Sequence, residues 1–151
     1  MKFIATKELG KLVKWMRILG FDAEYFKEAN YSKLKITALR DERIILTKNL
    51  SLSQPQGIKM VRIKSDLLNE QLQEVLKELN LKPDNNLMFS RCTVCNVVLE
   101  SVEKDKIKHK VPEYVFKTQE NFLACPVCQR VYWAGTHWGN VSQVIKEIML
   151  R

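Results

Sequence analysis

The chain lacks any long hydrophobic run: within its 151 residues, uninterrupted stretches of apolar side chains reach only four residues. A helix that crosses a bilayer needs about 20 predominantly apolar residues, so we expect no membrane span and no membrane partner. Residues 1–7 also lack the apolar stretch and the small-residue cleavage site of a secretory signal. We therefore expect a cytoplasmic protein.

Internal repeats are absent, and cysteines are few, with four in the whole chain. Apolar residues make up 46% of the sequence and charged residues 28%. This composition excludes a disordered chain, because it supplies enough apolar surface for a compact core. The length allows one core, or a core of roughly 80–100 residues with a small appended module.

The charge balance is basic. Lys and Arg number 25 against 17 Asp and Glu, which leaves a formal charge of +8 and a pI of about 9.4. The excess is spread along the chain, with +5 in residues 1–87 (16 basic, 11 acidic) and +3 in residues 88–151 (9 basic, 6 acidic). Such a balance favours polyanionic partners such as nucleic acid, although a basic surface also serves solubility.

The first 84 residues alternate between strand-like and helix-like patterns. Strands are predicted at residues 2–6, 23–26, 43–47 and 58–63. Three helices are predicted: the first has an apolar stripe and ends at Gly20, the second runs from the N-cap Ser32 to Asp41, and the third runs from the N-cap Ser65 to about Asn80. Repeated β-α units predict an α/β domain over residues 1–84, with a mostly parallel sheet, flanking helices and any active edge at the strand C-termini.

Residues 88–151 have a different pattern. They are predicted to form a second domain, with short strands at residues 97–99, 114–116 and 131–133 and a helix at residues 138–151. An aromatic group is expected to pack this domain against the helix: Tyr132, Trp133, His137 and Trp138. Two CxxC pairs, Cys92 with Cys95 and Cys125 with Cys128, are separated by 29 residues. Because each pair can aim two thiolates at one point, we expect a closed structural zinc site in a small zinc ribbon, with His109 and His137 as possible substitute ligands.

Five segments carry a family resemblance: residues 9–22, 45–49, 89–95, 111–115 and 125–138. Together, and in this order, they resemble the Mut-seven C-terminal RNase family, whose members join a PIN-like nuclease domain to a zinc ribbon. The resemblance implies a PIN-like sheet, RNA as substrate or ligand, and a divalent-metal site built from carboxylates at the strand ends.

The chain departs from the family pattern where acidic residues are expected. Thr6, Asn30 and Asn49 stand at or near three of these positions, while Asp66 remains acidic. If the site is active, Asp66, Glu8 and Glu28, with Asp22, are its candidate residues for Mg²⁺ or Mn²⁺. Because Lys7 and Lys48 add positive charge beside Thr6 and Asn49, we interpret the pocket as one that prefers phosphate to a metal ion.

Basic residues supply the candidate RNA contacts, with a solvated surface as the alternative. They are Lys7, Lys11, Lys14, Arg17, Lys48, Arg91, Lys104, Lys106, Lys108, Lys110 and Arg130. The first interpretation is a non-catalytic RNA-binding protein, as a component of a ribonucleoprotein or the ribosome. The second is a divalent-metal-dependent ribonuclease with an altered site. The third is an interaction module whose ribbon docks a protein partner.

Overall fold

The computed structural model describes residues 1–133 and 141–149, and the first half of the chain is an α/β unit with a parallel sheet. The strands are β1 (Lys2–Thr6), β2 (Asp22–Phe26), β3 (Arg43–Thr47) and β4 (Met60–Arg62). The helices are α1 (Gly10–Ile18), α2 (Tyr31–Asp41) and α3 (Leu68–Glu78), with a 3₁₀ turn at Lys7–Leu9. The sheet order is β2-β1-β3-β4 and every pair is parallel. The predicted fold class is confirmed.

Both faces of this sheet are buried, which explains why its central strands are continuous apolar runs. Phe3 and Ala5 belong to the main core with apolar residues of α1 and α3. Ile4, which points to the opposite face, packs with Leu34 and Ala38 of α2. Strands covered on both faces do not alternate between apolar and polar residues, so β1 and β3 read as unbroken hydrophobic segments.

The helix ends follow local signals, with two differences from expectation. Gly20 ends α1 in the left-handed region (φ +95°), and the N–H groups of Gly20 and Phe21 bond to carbonyls in its last turn, as in a Schellman motif. Asn30, not Ser32, caps α2, because its Oδ1 accepts from the Lys33 N–H at 3.1 Å. Ser65 bonds the N–H of Leu67 and so lies in the turn before α3.

The second half of the chain contains a three-stranded antiparallel sheet. Its strands are β5 (Glu100–Val102), β6 (Phe122–Ala124) and β7 (Val131–Tyr132), in the order β5-β6-β7. The predicted strand at residues 114–116 is wrong: helix α4 (Glu113–Thr118) occupies it, begun by Pro112 and oriented by buried Val111 and Val115. The predicted strand at residues 97–99 lies just before β5, with Val98 in an isolated bridge to Arg91.

The chain returns to the first unit through helix α5 (Val141–Met149). This helix packs against α3, and Ile148 is buried in the main core. Tyr132, by contrast, packs among the cysteines. His137, Trp138 and the predicted ends of the helix lie outside the described residues. Among the residues described, no helix combines the length and the apolar character that a membrane crossing requires.

The turn that holds Cys92 and Cys95, residues 92–97 (the first cysteine turn), covers the open edge of β2. Ala23 of β2 donates its N–H to Asn96 Oδ1 at 3.1 Å, and its carbonyl accepts from Arg17 Nε at 2.8 Å. Arg17 Nη1 also donates to the carbonyls of Thr93 (2.9 Å) and Val94 (3.2 Å). An exposed strand edge leaves unpaired backbone groups, so these contacts satisfy the edge at Ala23 and dock the two halves together.

A carboxylate completes this docking surface. Asp22 Oδ1 accepts from Asn96 Nδ2 at 2.6 Å and from Arg43 Nη1 at 2.7 Å. Burial raises the pKa of Asp22, but the bonds from Arg43 and Asn96 outweigh it and hold the pKa below its ordinary value of 3.8. Because the folded-state pKa is depressed, this stabilisation is present above the ordinary pKa and is lost as pH falls through the folded value.

Replacement of Asn96 by Gly tests the docking surface. Asn96 has a positive φ (69°), which Gly adopts without strain, so Asn96→Gly removes the side-chain bonds to Ala23 and Asp22 and keeps the backbone conformation. We expect the free energy of unfolding to fall by about 2 kcal/mol, measured by urea denaturation with the metal site saturated.

Gln129→Gly is the matched control. Gln129 has the corresponding position and φ (67°) in the second cysteine turn, but its side chain is exposed and contacts only the nearby Pro126 carbonyl among the bonds found in the described residues. This variant is expected to retain wild-type stability within about 0.5 kcal/mol. Equal losses in the two variants would contradict a docking role for Asn96.

Candidate metal centre and sheet-edge site

The four cysteines converge on one point. The Sγ atoms of Cys92, Cys95, Cys125 and Cys128 all lie within 4.8 Å of one another, and Cys92 and Cys128 are 3.7 Å apart. A tetrahedral zinc site with Zn–S bonds of about 2.3 Å places its sulfurs about 3.8 Å apart. The donor set and its spacing therefore fit a metal ion such as zinc, with all four positions supplied by protein.

Two similar backbone turns bring the thiols together. In each turn the N–H of the second cysteine lies 3.4 Å from the Sγ of the first: Cys95 from Cys92, and Cys128 from Cys125. Each turn then closes through a residue with positive φ, Asn96 or Gln129, whose N–H bonds the carbonyl of the first cysteine. N–H groups directed at sulfur favour thiolate, the form that binds metal.

The surroundings of the thiols shift the pKa values of two of them in opposite directions. Burial and hydrogen bonds with Cys128 and Cys125 raise the pKa of Cys95 to about 12. Burial also raises the pKa of Cys128, but hydrogen bonds from Arg130 and from neighbouring thiols bring it to about 6. The Tyr132 hydroxyl lies 3.2 Å from Cys92 Sγ. Four crowded thiols resist joint ionisation, and a bound cation would remove that resistance.

The carboxyl edge of the parallel sheet is lined by hydroxyl groups. Thr6 ends β1 and Thr47 ends β3; both are buried, and their Oγ1 atoms are 3.3 Å apart. The Thr6 hydroxyl donates to Glu8 Oε1 at 2.5 Å, and the same oxygen accepts from the Lys48 N–H at 3.3 Å. Glu8 is thus held by protein donors at this edge.

Lys48 and Asn49 continue the same edge. Lys48 Nζ forms an ion pair with Asp66, whose side chain is 90% exposed, and lies 3.3 Å from the Ser65 carbonyl. Asn49 Oδ1 accepts from the N–H (3.0 Å) and the hydroxyl (2.7 Å) of Ser51. The carboxylate of Asp66 is therefore paired with a cation at the place where the resemblance implies a metal ligand.

The remaining candidate residues of the sheet-edge site have other partners. Glu28 pairs with Lys33 at 3.0 Å, Asn30 caps α2, and Asp22 belongs to the docking surface. Glu8, Glu28 and Asp66 are not brought together as a metal site: in the described part of the chain, the cysteines form the one group of three or more potential ligands close enough to share an ion.

The predicted RNA-binding residues fall into two groups. Exposed positions are held by Lys7, Lys11, Lys14, Lys106, Lys108, Lys110 and Arg130. The others have contacts within the fold: Arg17 is buried at the docking surface, and Arg91 is half-buried with bonds to the carbonyls of Gly20 and Asn96. Lys48 pairs with Asp66, and Lys104 pairs with Glu120. The lysines of the exposed group are accessible to solvent, whereas Arg130, although exposed, also hydrogen-bonds Cys128.

Fold and site define a class: an α/β unit with a parallel sheet, joined to a four-cysteine module whose thiols could hold a metal ion, and closed by a C-terminal helix. The family model described as the Mut7-C RNAse domain matches residues 1–145. The chain belongs to the Mut7-C RNase domain family. No curated protein and no solved structure matches the chain significantly.

Three residues at these sites have no clear signal in the sequence. Thr47 lines the sheet edge beside Thr6, and only its position at the end of a predicted strand indicates this. Tyr132 reaches Cys92 from β7, and Asn96 docks on β2 from 73 residues away. Such long-range contacts follow from the packing of the two units, which local pattern does not encode.

Metal content tests the cysteine site. We expect the purified protein to contain about one zinc ion per chain. Cys92→Ser should lose the zinc and lower the unfolding temperature, because the Cys92 thiolate is one of the four protein ligands that fill the site. Plasma emission spectrometry and a chelator titration measure both effects.

His109→Ala is the control, since His109 is exposed and outside the cysteine cluster. This variant should retain its metal and its unfolding temperature. A full complement of metal in Cys92→Ser, or its loss in His109→Ala, would show that the ligand set is wrong.

Proposed function

We propose that this protein is a non-catalytic RNA-binding protein, built from a PIN-like domain with a degenerate nuclease centre (residues 1–84) and a structural zinc ribbon with a C-terminal helix (residues 88–151). It acts as a component of a ribonucleoprotein, with structured RNA such as ribosomal RNA as its partner. The observation that carries the proposal is the chemistry of the sheet edge, where hydroxyl, amide and ammonium groups replace a cluster of carboxylates.

The sheet edge suits an anion better than a divalent cation. Mg²⁺ and Mn²⁺ need several oxygen ligands, most of them anionic, to offset their strong hydration. Here Thr6, Thr47 and Asn49 are neutral, and both carboxylates at the edge are engaged by protein donors. Glu8 accepts from the Thr6 hydroxyl and the Lys48 N–H, and Asp66 pairs with the Lys48 ammonium. A metal ion at this edge would have to displace the Lys48 ammonium, which costs the ion pair and leaves like charges close together.

The exposed basic residues supply the electrostatic attraction for RNA. Lys7, Lys11 and Lys14 lie on the turn after β1 and along α1, and Lys106, Lys108 and Lys110 lie on the 3₁₀ turn after β5 and in the loop that follows it. Each lysine that neutralises a phosphate releases a counterion, so binding by such surfaces is steeply dependent on salt. The formal charge of +8 adds a long-range attraction to polyanions.

The second candidate is a divalent-metal-dependent ribonuclease with an altered active site, and the family match over residues 1–145 is the observation that favours it. In this case Glu8 and Asp66 supply the remaining carboxylates, both within reach of Lys48. Glu8 would need to exchange its bond from Thr6 for a metal, and Asp66 would need to leave Lys48.

RNA binding and cleavage are measured together. We expect tight binding to structured RNA that weakens steeply as salt rises, with no shortening of the RNA in Mg²⁺ or Mn²⁺, because the edge lacks a carboxylate cluster. Filter binding over a salt series and denaturing electrophoresis of the same samples supply the two readouts.

Asp66→Ala, with Asp84→Ala as an exposed control outside the sheet edge, separates the two candidates. The RNA-binding proposal expects no cleavage in any sample. Cleavage that EDTA stops, that Asp66→Ala abolishes and that Asp84→Ala retains would establish the ribonuclease instead. Absence of RNA binding at physiological salt, with polypeptide recovered as the partner, would favour the interaction module.

A further inference from the structure

A cleft of about 410 Å³ lies where α1, the end of β2 and the first cysteine turn meet. Its walls include Lys14, Arg17, Tyr25, Lys27, Thr93 and Val94. Because Thr93 and Val94 are held in place by Arg17, the docking of the two units forms the cleft. Its volume falls within the range of about 300–1,000 Å³ that is typical of ligand sites, and is enough for about one nucleotide.

Positive charge is concentrated in this cleft. Lys14, Arg17 and Lys27 line it, and none of the described residues that line it is acidic. Within the described part of the chain, Lys14 and Lys27 are exposed and form no ion pair, unlike Lys48 at the sheet edge. Arg17 adds its charge at a fixed position, since carbonyls of both units hold its guanidinium. Asp22 and Glu24 lie near Arg17, so the attraction for an anion such as a phosphate group comes mainly from the ammonium groups of Lys14 and Lys27 on the walls of this concave site.

An aromatic side chain gives the cleft a second property. Tyr25 lines it, half-buried, with its hydroxyl donating to the Lys7 carbonyl and Lys27 Nζ 5.9 Å from its ring centroid. Gly10 packs beside the hydroxyl end of the ring, where a Cβ would lie only 3.4 Å from the Tyr25 hydroxyl oxygen, so this position leaves little room for a side chain. An aromatic ring beside a cationic groove is the combination that binds single-stranded RNA, with the base stacked and the backbone neutralised.

We propose that this cleft binds one nucleotide of a single-stranded RNA segment, with its phosphate between Lys14 and Lys27 and its base against Tyr25. The inference rests on the proposed RNA-binding function and gives it a location. Lys27 directly follows the last residue of β2, and Gly10 begins α1, so the cleft opens beside the carboxyl edge of the sheet. An RNA strand seated in it contacts the PIN-like unit and the cysteine module together.

The test compares two charge-matched double variants of the full-length, metal-loaded protein. Lys14→Ala with Lys27→Ala removes the cleft ammonium groups, and Lys77→Ala with Lys82→Ala removes two exposed lysines elsewhere. With a fluorescent oligouridylate as the probe, anisotropy should show an affinity loss of about tenfold or more for the cleft variant and less than about twofold for the control. The slope of log affinity against log salt should fall by about 1.4 in the cleft variant.

Tyr25 is tested separately with two substitutions. Tyr25→Leu should weaken binding about fivefold or more with an unchanged salt slope, whereas Tyr25→Phe keeps the ring and should bind nearly as wild type. Circular dichroism and metal content verify that each variant is folded.

The outcomes distinguish the cleft from the broader function. Equal losses in the two lysine double variants would overturn the cleft and leave RNA binding by the basic surface intact. Loss in the cleft variant with no effect of Tyr25→Leu would overturn the base-stacking role. Failure of the wild-type protein to bind oligouridylate while it still binds structured RNA would overturn the cleft alone. Failure to bind either RNA at physiological salt would overturn the proposed function, and the cleft with it.

Discussion

The structure depends on one contact: the first cysteine turn covers the edge of β2. The backbone of Ala23 is satisfied on that edge by Asn96 and Arg17, and Arg17 extends the same guanidinium to carbonyls of the cysteine turn. A short parallel sheet with an open edge is exposed to strand addition by other chains. Here the edge is covered at Ala23 by a module whose turns bring four thiols together, so the docking of the two units is linked to the cysteine cluster.

This linkage explains the arrangement of basic residues. Two arginines at the docking surface, Arg17 and Arg91, use their donors on backbone carbonyls of both units. They hold the units in register, while the lysines of α1 and of the loop after β5 stay exposed. Arginine suits the first role because its planar guanidinium serves several acceptors at once, and lysine suits the second because it is a mobile point charge. The basic residues of this chain thus have two roles: the arginines at the docking surface hold the two units together, and the exposed lysines form a positive surface.

The sequence predicted the elements whose signals are local. Strands β1 and β3 match the predicted bounds, because burial on both faces leaves unbroken apolar runs, and Gly20 ends α1 where a left-handed residue is required. The paired CxxC turns, another local signal, predicted the cluster of four thiols. The strand predicted at residues 114–116 was wrong, because the β preference of three residues is a weaker signal than Pro112 and the helical spacing of Val111 and Val115.

Other features depend on contacts between distant segments. Arg17 was predicted as an RNA contact, but in the fold it is buried and its guanidinium donates to the carbonyl of Thr93, 76 residues away. The carboxylates of Glu8, Glu28 and Asp66 looked equally available in the sequence. In the fold Glu8 accepts from Thr6 and from the Lys48 N–H, Glu28 pairs with Lys33 and Asp66 pairs with Lys48, so the three are not assembled into one metal site. Side-chain partners at a strand edge are set by the register of the sheet and the docking of neighbours, which a single sequence does not specify.

Hydrogen exchange at the amide of Ala23 tests the link between metal, docking and edge most directly. Removal of the metal should release the first cysteine turn and with it Asn96 Oδ1, so exchange at this amide should accelerate well beyond that of Ile4, which lies in the sheet interior. Protection of Ala23 that is unchanged after complete metal removal would contradict the account, because it would show that the edge of the sheet is closed without the cysteine module.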